Sequence, residues 1–206
     1  MLAKRQGVLV AMDYSTVYQK DASGEFTAIP EQFVGAGAVR AINDISALLA
    51  RMGGRSEVRI GGETSFADFK HSPTILMGAF NNRWTPTISK DFRFNFTTRN
   101  GARGIEDRQN AAKFWSRPDR SVTDEDYALI SRVSHPDTGN ALLAIAGVTQ
   151  YGTQAAAEFI TSSAAIDRLA EQLPNGWEHR NFQILLHSKV IGGTPSPATI
   201  VATHVW

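Results

Sequence analysis

The chain has 206 residues, 42% of them hydrophobic and 20% charged, a length and composition that suit a single globular domain spanning residues 1–206. A net charge of +1 creates no field that would draw nucleic acid or a membrane surface, so neither is expected as a partner. The absence of cysteine excludes disulfides and thiolate chemistry and leaves the redox compartment open.

At the start, Lys4 and Arg5 precede a short apolar run that Asp13 breaks, with no small-residue cleavage pattern, so no signal peptide is expected. No stretch reaches the roughly 18–20 apolar residues of a membrane span, and the expectation is a soluble, cytoplasmic protein. Residues Gly7 to Tyr18 read as a strand, followed by a turn at Asp21 to Gly24 and a return strand to Ile29, a β-hairpin. Asp13, at a strand end, reads as a solvated or capping group. Between Phe33 and Met52, Val39, Ile42, Ile45, Leu48, Leu49 and Met52 recur at helical spacing, and Gly53 and Gly54 stop the helix. The Gly35 to Arg40 segment, GAGAVR, is a helix entry and not a dinucleotide fingerprint, because Arg40 stands where the third glycine belongs.

Glu57 to Ile60 reads as a strand, and Gly61, Gly62, Glu63, Thr64 and Ser65 lead into a short helix over Phe66 to Lys70 that Thr64 or Ser65 would cap. Pro73 to Phe80 is an apolar strand fit for a sheet buried on both faces. The turn after it, Asn81, Asn82, Arg83 and Trp84, has donors and an indole that could hold a base, sugar or phosphate. It reads equally as an asparagine turn with Trp84 filling core. Asp91 to Thr97 alternates, with Phe92, Phe94 and Phe96 on one side, as a half-buried strand. Asn100 to Asp119 reads as irregular, a flap or long surface loop anchored by Phe114 and Trp115.

Tyr127 to Val133 and Ala141 to Val148 flank the turn His135 to Asn140 as an antiparallel hairpin. The second strand passes through Thr149, Tyr151 and Gly152 into one long helix from Thr153 to Leu173, ended by Pro174, Asn175 and Gly176. Phe182 to Ile191 and Thr199 to Trp206 read as closing strands. The expected fold is an α/β three-layer Rossmann-like sandwich: a mixed sheet with helices on both faces and antiparallel C-terminal strands.

A strand, loop and helix unit such as Asn140 to Ser162 puts its loop at the carboxyl edge of a sheet, where N–H groups of the helix's first turn favour anions. The N–H groups of Thr153 and Gln154 could hold a phosphate or carboxylate, with Gly152 letting a ligand approach the backbone, while Thr153 by itself reads more readily as the cap of the long helix. The candidate ligand-binding set is therefore Ser65, Asn81, Asn82, Arg83, Trp84, Thr149, Tyr151, Gly152, Thr153 and Gln154. No P-loop, G-x-S-x-G or H-E-x-x-H occurs, and His71, His135, His179, His187 and His204 lack ligand spacing. No catalytic residue, metal site or cofactor is expected. The acidic runs Asp124 to Asp126 and Glu106 with Asp107 read as solvated faces or caps.

The segments ILMGAFNNRWT, DYALISRV and AIAGVTQYGTQAAAEFIT resemble an uncharacterised bacterial α/β domain found in longer signalling or regulatory chains. The order D-F-x-x-x-P-T-I-L-M-G-x-x-N, Asp68 to Asn81, is similar to Rossmann-like nucleotide-sensing domains of the SLOG type. These resemblances imply a sensor of an anionic or nucleotide-like small molecule, attached to or associated with a regulatory domain. The alternatives are a transferase or hydrolase acting on such a ligand, and a protein interaction module using Trp84, Trp115 or Trp206.

Overall fold

A computed structural model describes residues 7–28, 32–61, 64–117, 124–134 and 139–206. Lys4, Arg5, Ile29, Gly62, Glu63, Asp119, His135 and most of the turn after His135 lie outside them. In chain order the elements are β1 (Val8–Met12), β2 (Tyr18–Lys20), β3 (Phe26–Ala28), α1 (Ala36–Arg51), β4 (Ser56–Ile60), α2 (Asp68–His71), β5 (Thr74–Met77), α3 (Trp84–Ser89) and β6 (Phe94–Arg99). They continue with β7 (Ala102–Asp107), β8 (Asn110–Ser116), β9 (Glu125–Ser134), β10 (Ala141–Gly147), α4 (Gln150–Thr161), α5 (Ser163–Ala170), β11 (Phe182–Ile191), β12 (Thr194–Pro195) and β13 (Thr199–Val205).

The main sheet runs β12-β11-β9-β10-β5-β1-β4, with β13 on β11. Strands β4, β1, β5 and β10 are mutually parallel, and β9, β11 and β13 continue the sheet antiparallel. Of these, β1, β5 and β10 are covered on both faces, with all four residues of β5 buried, while the edge strand β4 is polar and partly exposed. One face takes Val10, Met12, Met77, Ile130, Ile145 and Ile184 and packs on α1, α4 and α5.

The opposite face is where the expected three-layer Rossmann-like sandwich fails. It takes Leu129, Ala146 and Leu185 against Phe94, Phe96 and Ile105 of a separate three-stranded antiparallel sheet, β6-β7-β8. Beside that sheet, Leu9, Ala11 and Leu76 meet Phe69 of α2 and Trp84 and Ile88 of α3. The described residues are 42% strand and 27% helix, in a curled mixed sheet with separate antiparallel sheets. A face covered mainly by strands needs no layer of long helices. The Gln183 side chain ties the two sheets: it accepts from the Phe94 N–H at 2.9 Å and donates to the Phe94 carbonyl at 2.8 Å and to Ser131 Oγ at 3.1 Å. It is fully buried and fully used, as a polar group in a core must be.

Three local corrections follow from packing. The segment from Asn100 to Ser116, expected to be irregular, is mostly strand: Asn100 and Gly101 both take positive φ, 49° and 80°, and turn β6 into β7. The buried stripe of α1 is Gly37, Ala38, Ala41 and Ile45, while Val39 and Met52 are exposed. Small residues lie inside because α1 crosses α4 at close range: a Cβ on Gly37 would stand 2.1 Å from the Gln150 carbonyl oxygen. The expected single helix from Thr153 to Leu173 begins earlier and breaks at Ser162, which leaves helical geometry (φ −92°, ψ 114°) and caps α5 through its hydroxyl.

Candidate functional site

Because β1, β5 and β10 are parallel neighbours, their carboxyl ends reach one edge of the sheet together, and the chain leaving each opens a cleft there. The cleft has a volume of about 290 Å³. Tyr14, Ser15 and Thr16 enter it from beyond β1, Gly78, Phe80 and Asn81 from beyond β5, and Gly147 to Gln150 with Thr153 from beyond β10. Gly35 and Ala38, at the start of α1, close the helical side. Asn81 donates to Ser15 Oγ at 3.4 Å, which fixes its amide at the rim. Arg103 of β7 lines the opposite wall, its guanidinium 5.0 Å from the Phe80 ring centroid. A second cavity of about 630 Å³ shares Thr16, Tyr18, Arg103, Val148 and Thr149 with the first and adds Arg117. Tyr18 belongs to the β2–β3 hairpin, whose six paired residues are all exposed, so the hairpin stands over the groove and not in the core.

Of the residues singled out from sequence, Asn81, Thr149 and Thr153 line the cleft; Ser65, Asn82, Arg83, Trp84, Tyr151, Gly152 and Gln154 do not. Asn82 is 2% exposed and structural: its amide donates to the carbonyls of Ala11 and Met77, and its oxygen accepts from the N–H groups of Trp84 and Thr85 at the start of α3. Arg83 is neutralised by Asp13, which accepts from both its backbone N–H and its guanidinium. Trp84 packs edge-on to Phe69, with ring centroids 5.3 Å apart. Ser65 bonds the Asp68 carboxylate. Gln154 is buried between α1 and α4, bonded to Arg40 and Glu158. The Tyr151 hydroxyl is near Gly193, on the far side of α4's first turn.

The helix N-termini are already engaged. Asp126, fully buried on β9, accepts from the N–H groups of Tyr127, Thr149 and Gly152 and from the Thr149 hydroxyl. It therefore supplies from within the protein the anion that a helix N-terminus attracts. Burial pushes its carboxyl up from the usual carboxylate range, and the hydrogen bonds from Thr149, Gly152 and Tyr127 oppose that shift. The Thr153 N–H goes to the Thr149 carbonyl at 3.3 Å and its hydroxyl accepts from Gly147 at 2.9 Å. Gly152 is small for a packing reason: a Cβ there would meet the Tyr127 carbonyl oxygen at 2.5 Å. On α1, the Gly37 N–H is taken by Gln150 Oε1 at 3.3 Å.

The charge of the groove consequently comes from side chains. Among the described residues lining the two cavities there is no Asp or Glu; Arg103 and Arg117 are the charged groups. The other polar groups are hydroxyls and amides: Tyr14, Ser15, Thr16, Tyr18, Asn81, Thr149, Gln150 and Thr153. Such a lining can hold a polar anion by charge-assisted hydrogen bonds and offers aromatic faces for stacking.

The chain matches no family model, no curated protein and no solved structure. Geometry and chemistry alone therefore speak for the site.

The polar lining residues missed from sequence are Tyr14, Ser15, Thr16, Tyr18, Gln150 and the two arginines, and Asp126, read with its run as a solvated face or cap, is a fully buried cap of α4. The arginines carried a usable signal: Asn100-Gly101 between alternating segments is a hairpin signature, and it would have placed Arg103 on a strand instead of a flap. Asp126 carried none, because its partners lie 23 and 26 residues further along the chain. Among the described residues no helix is long and apolar enough to cross a membrane, and no group of acids and histidines is arranged to hold a metal ion.

Proposed function

We propose that this protein binds an anionic, nucleotide-like small molecule in the groove at the carboxyl ends of β1, β5 and β10, as the sensor domain of a bacterial regulatory system. The observation that carries this reading is the lining of the groove: Arg103 lies over Phe80 with no carboxylate partner among the described residues, and no acid lines the cleft among them. An arginine held on an aromatic face and free of an internal counter-ion is poised to accept one from solution. The hydroxyls of Tyr14, Ser15 and Thr16 would orient a phosphate or sugar beside it. Volumes of about 290 and 630 Å³ fall in the range of small-molecule sites. The resemblance of the Asp68 to Asn81 segment to nucleotide-sensing domains suggests the same reading, which implies a cytoplasmic setting and attachment to or association with a regulatory domain.

Thermal-shift screening against nucleotides and sugar phosphates tests it. At least one phosphate-bearing ligand should raise the melting midpoint in a saturable way, and Arg103→Gln should weaken that ligand about tenfold or more, the scale of one charge-assisted hydrogen bond. Absence of any shift across the panel, or a shift indifferent to Arg103→Gln, rejects the reading.

A further inference from the structure

The two arginines of the groove stand in a relation that the single-anion reading does not require. Strands β7 and β8 pair antiparallel through Gly104 with Ser116, Ile105 with Trp115 and Glu106 with Phe114. Continued by one step past the last paired residues, that register sets Arg103 opposite Arg117, and both line the same cavity. Facing positions of an antiparallel pair hold their Cβ atoms about 4.5–5.5 Å apart, and like charges placed so repel. Two other arginines at this small sheet are paired: Arg93 with Asp107 at 2.9 Å and Arg99 with Glu106 at 2.8 Å. At the Arg103–Arg117 end no described carboxylate lies in ion-pair reach. The Arg117 Nε is shielded from solvent and has no hydrogen-bond partner, a costly state for a donor on a cation.

We propose that Arg103 and Arg117 form a two-point clamp for a diphosphate group, so that the ligand of the groove is a diphosphate or a nucleoside diphosphate and not a monophosphate. The inference rests on the anionic reading of the cleft and adds its stoichiometry of charge. Two phosphoryl groups joined through one oxygen match two guanidinium forks on facing strands, each fork taking two oxygens. The bound diphosphate cancels the repulsion between the arginines. The neighbouring hydroxyls of Thr16 and Tyr18 complete the donor set around it.

The probes are inorganic phosphate and inorganic pyrophosphate, which carry no base and so separate the clamp from any stacking contribution. The readouts are dissociation constants and the NMR signals of the arginine Nε–H groups in the intact wild-type chain. Pyrophosphate should bind tenfold or more tightly than phosphate and shift the Nε–H signals of both Arg103 and Arg117. In Arg117→Gln that advantage should vanish, while Arg117→Lys, which keeps charge but not the fork, should retain part of it. Equal affinity for the two ions in the wild-type protein, or a pyrophosphate shift confined to Arg103, overturns the clamp and leaves the anionic reading standing. If neither ion moves either signal, the anionic reading falls and the clamp with it. The wild-type titration decides the matter even where a variant folds poorly.

Discussion

Two charged centres flank the β10–α4 turn, and the protein treats them in opposite ways. Asp126 is buried and satisfied by hydrogen bonds from three backbone N–H groups and one hydroxyl. Arg103 and Arg117, across the groove, have no carboxylate partner among the described residues. The first centre is a closed account of charge that positions α4. The second is open, and it asks for an anion from outside. The contrast separates structure from binding: helix N-termini that look like phosphate sites in the sequence are filled from within, and the unfilled positive charge stands on a strand pair.

That contrast can be broken most forcefully at the platform carrying the arginines. Ile105, two residues along β7 from Arg103, is fully buried in the cluster with Phe94, Phe96 and Trp115. Ile105→Ala should cost about 3 kcal/mol in urea unfolding, the scale of a core truncation. A loss under about 1 kcal/mol would mean that the small sheet is a loosely held flap after all.

Next in size is the closed centre itself. Asp126→Asn keeps shape but places an amide donor where the carboxylate accepted, and should cost about 2 kcal/mol by leaving buried N–H groups short of an acceptor. A neutral effect at that position would contradict its role in holding α4.

A third expectation concerns acid. The hydrogen-bonded guanidinium of Arg93 holds the buried Asp107 carboxyl below its usual value of 3.8. Its folded value is thus lower than its unfolded one, and the stability it contributes is complete above about pH 4 and lost as pH falls through the folded value. Asp126 works in the other sense: with its carboxyl raised, its contribution favours folding below 3.8 and fades as pH rises through the folded value. Asp107→Asn should therefore lower stability at neutral pH by about 1–2 kcal/mol and flatten the acid limb of a pH–stability curve, whereas Asp126→Asn should cost less at pH 7 than at pH 4. Parallel acid limbs for wild type and Asp107→Asn would remove the Arg93 pairing as the cause.

The smallest effect is the most telling. Removing both arginines of the open centre, Arg103→Gln with Arg117→Gln, should leave unfolding free energy within about 0.5 kcal/mol of wild type, with a slight gain from lost repulsion. A large destabilisation would assign these side chains to structure and not to binding.

Periodicity carried much of the framework. The apolar run Thr74 to Met77 and the pattern of Ala141 to Gly147 gave the central parallel strands, because strands buried on both faces can hold little else. The second layer escaped. Asn110 to Lys113 are exposed and polar or small, so β8 has no apolar stripe until Phe114 and Trp115. The break at Ser162 escaped too, since alanines and isoleucines continue on both sides of it. Of the site, the sheet edge and the Asn81, Thr149 and Thr153 positions were legible, because a strand-to-helix turn fixes its own geometry. The engagement of Arg83 by Asp13, 70 residues away, and of α4 by Asp126 was not, because tertiary pairing leaves no local spacing to read.

The central claim is that the open positive centre recruits an external anion. Isothermal titration of pyrophosphate into the wild-type protein and into the Arg103→Gln, Arg117→Gln variant tests it most directly. The account predicts saturable one-site binding in the wild type and its loss in a variant of unchanged stability; equal binding by the two proteins would contradict it.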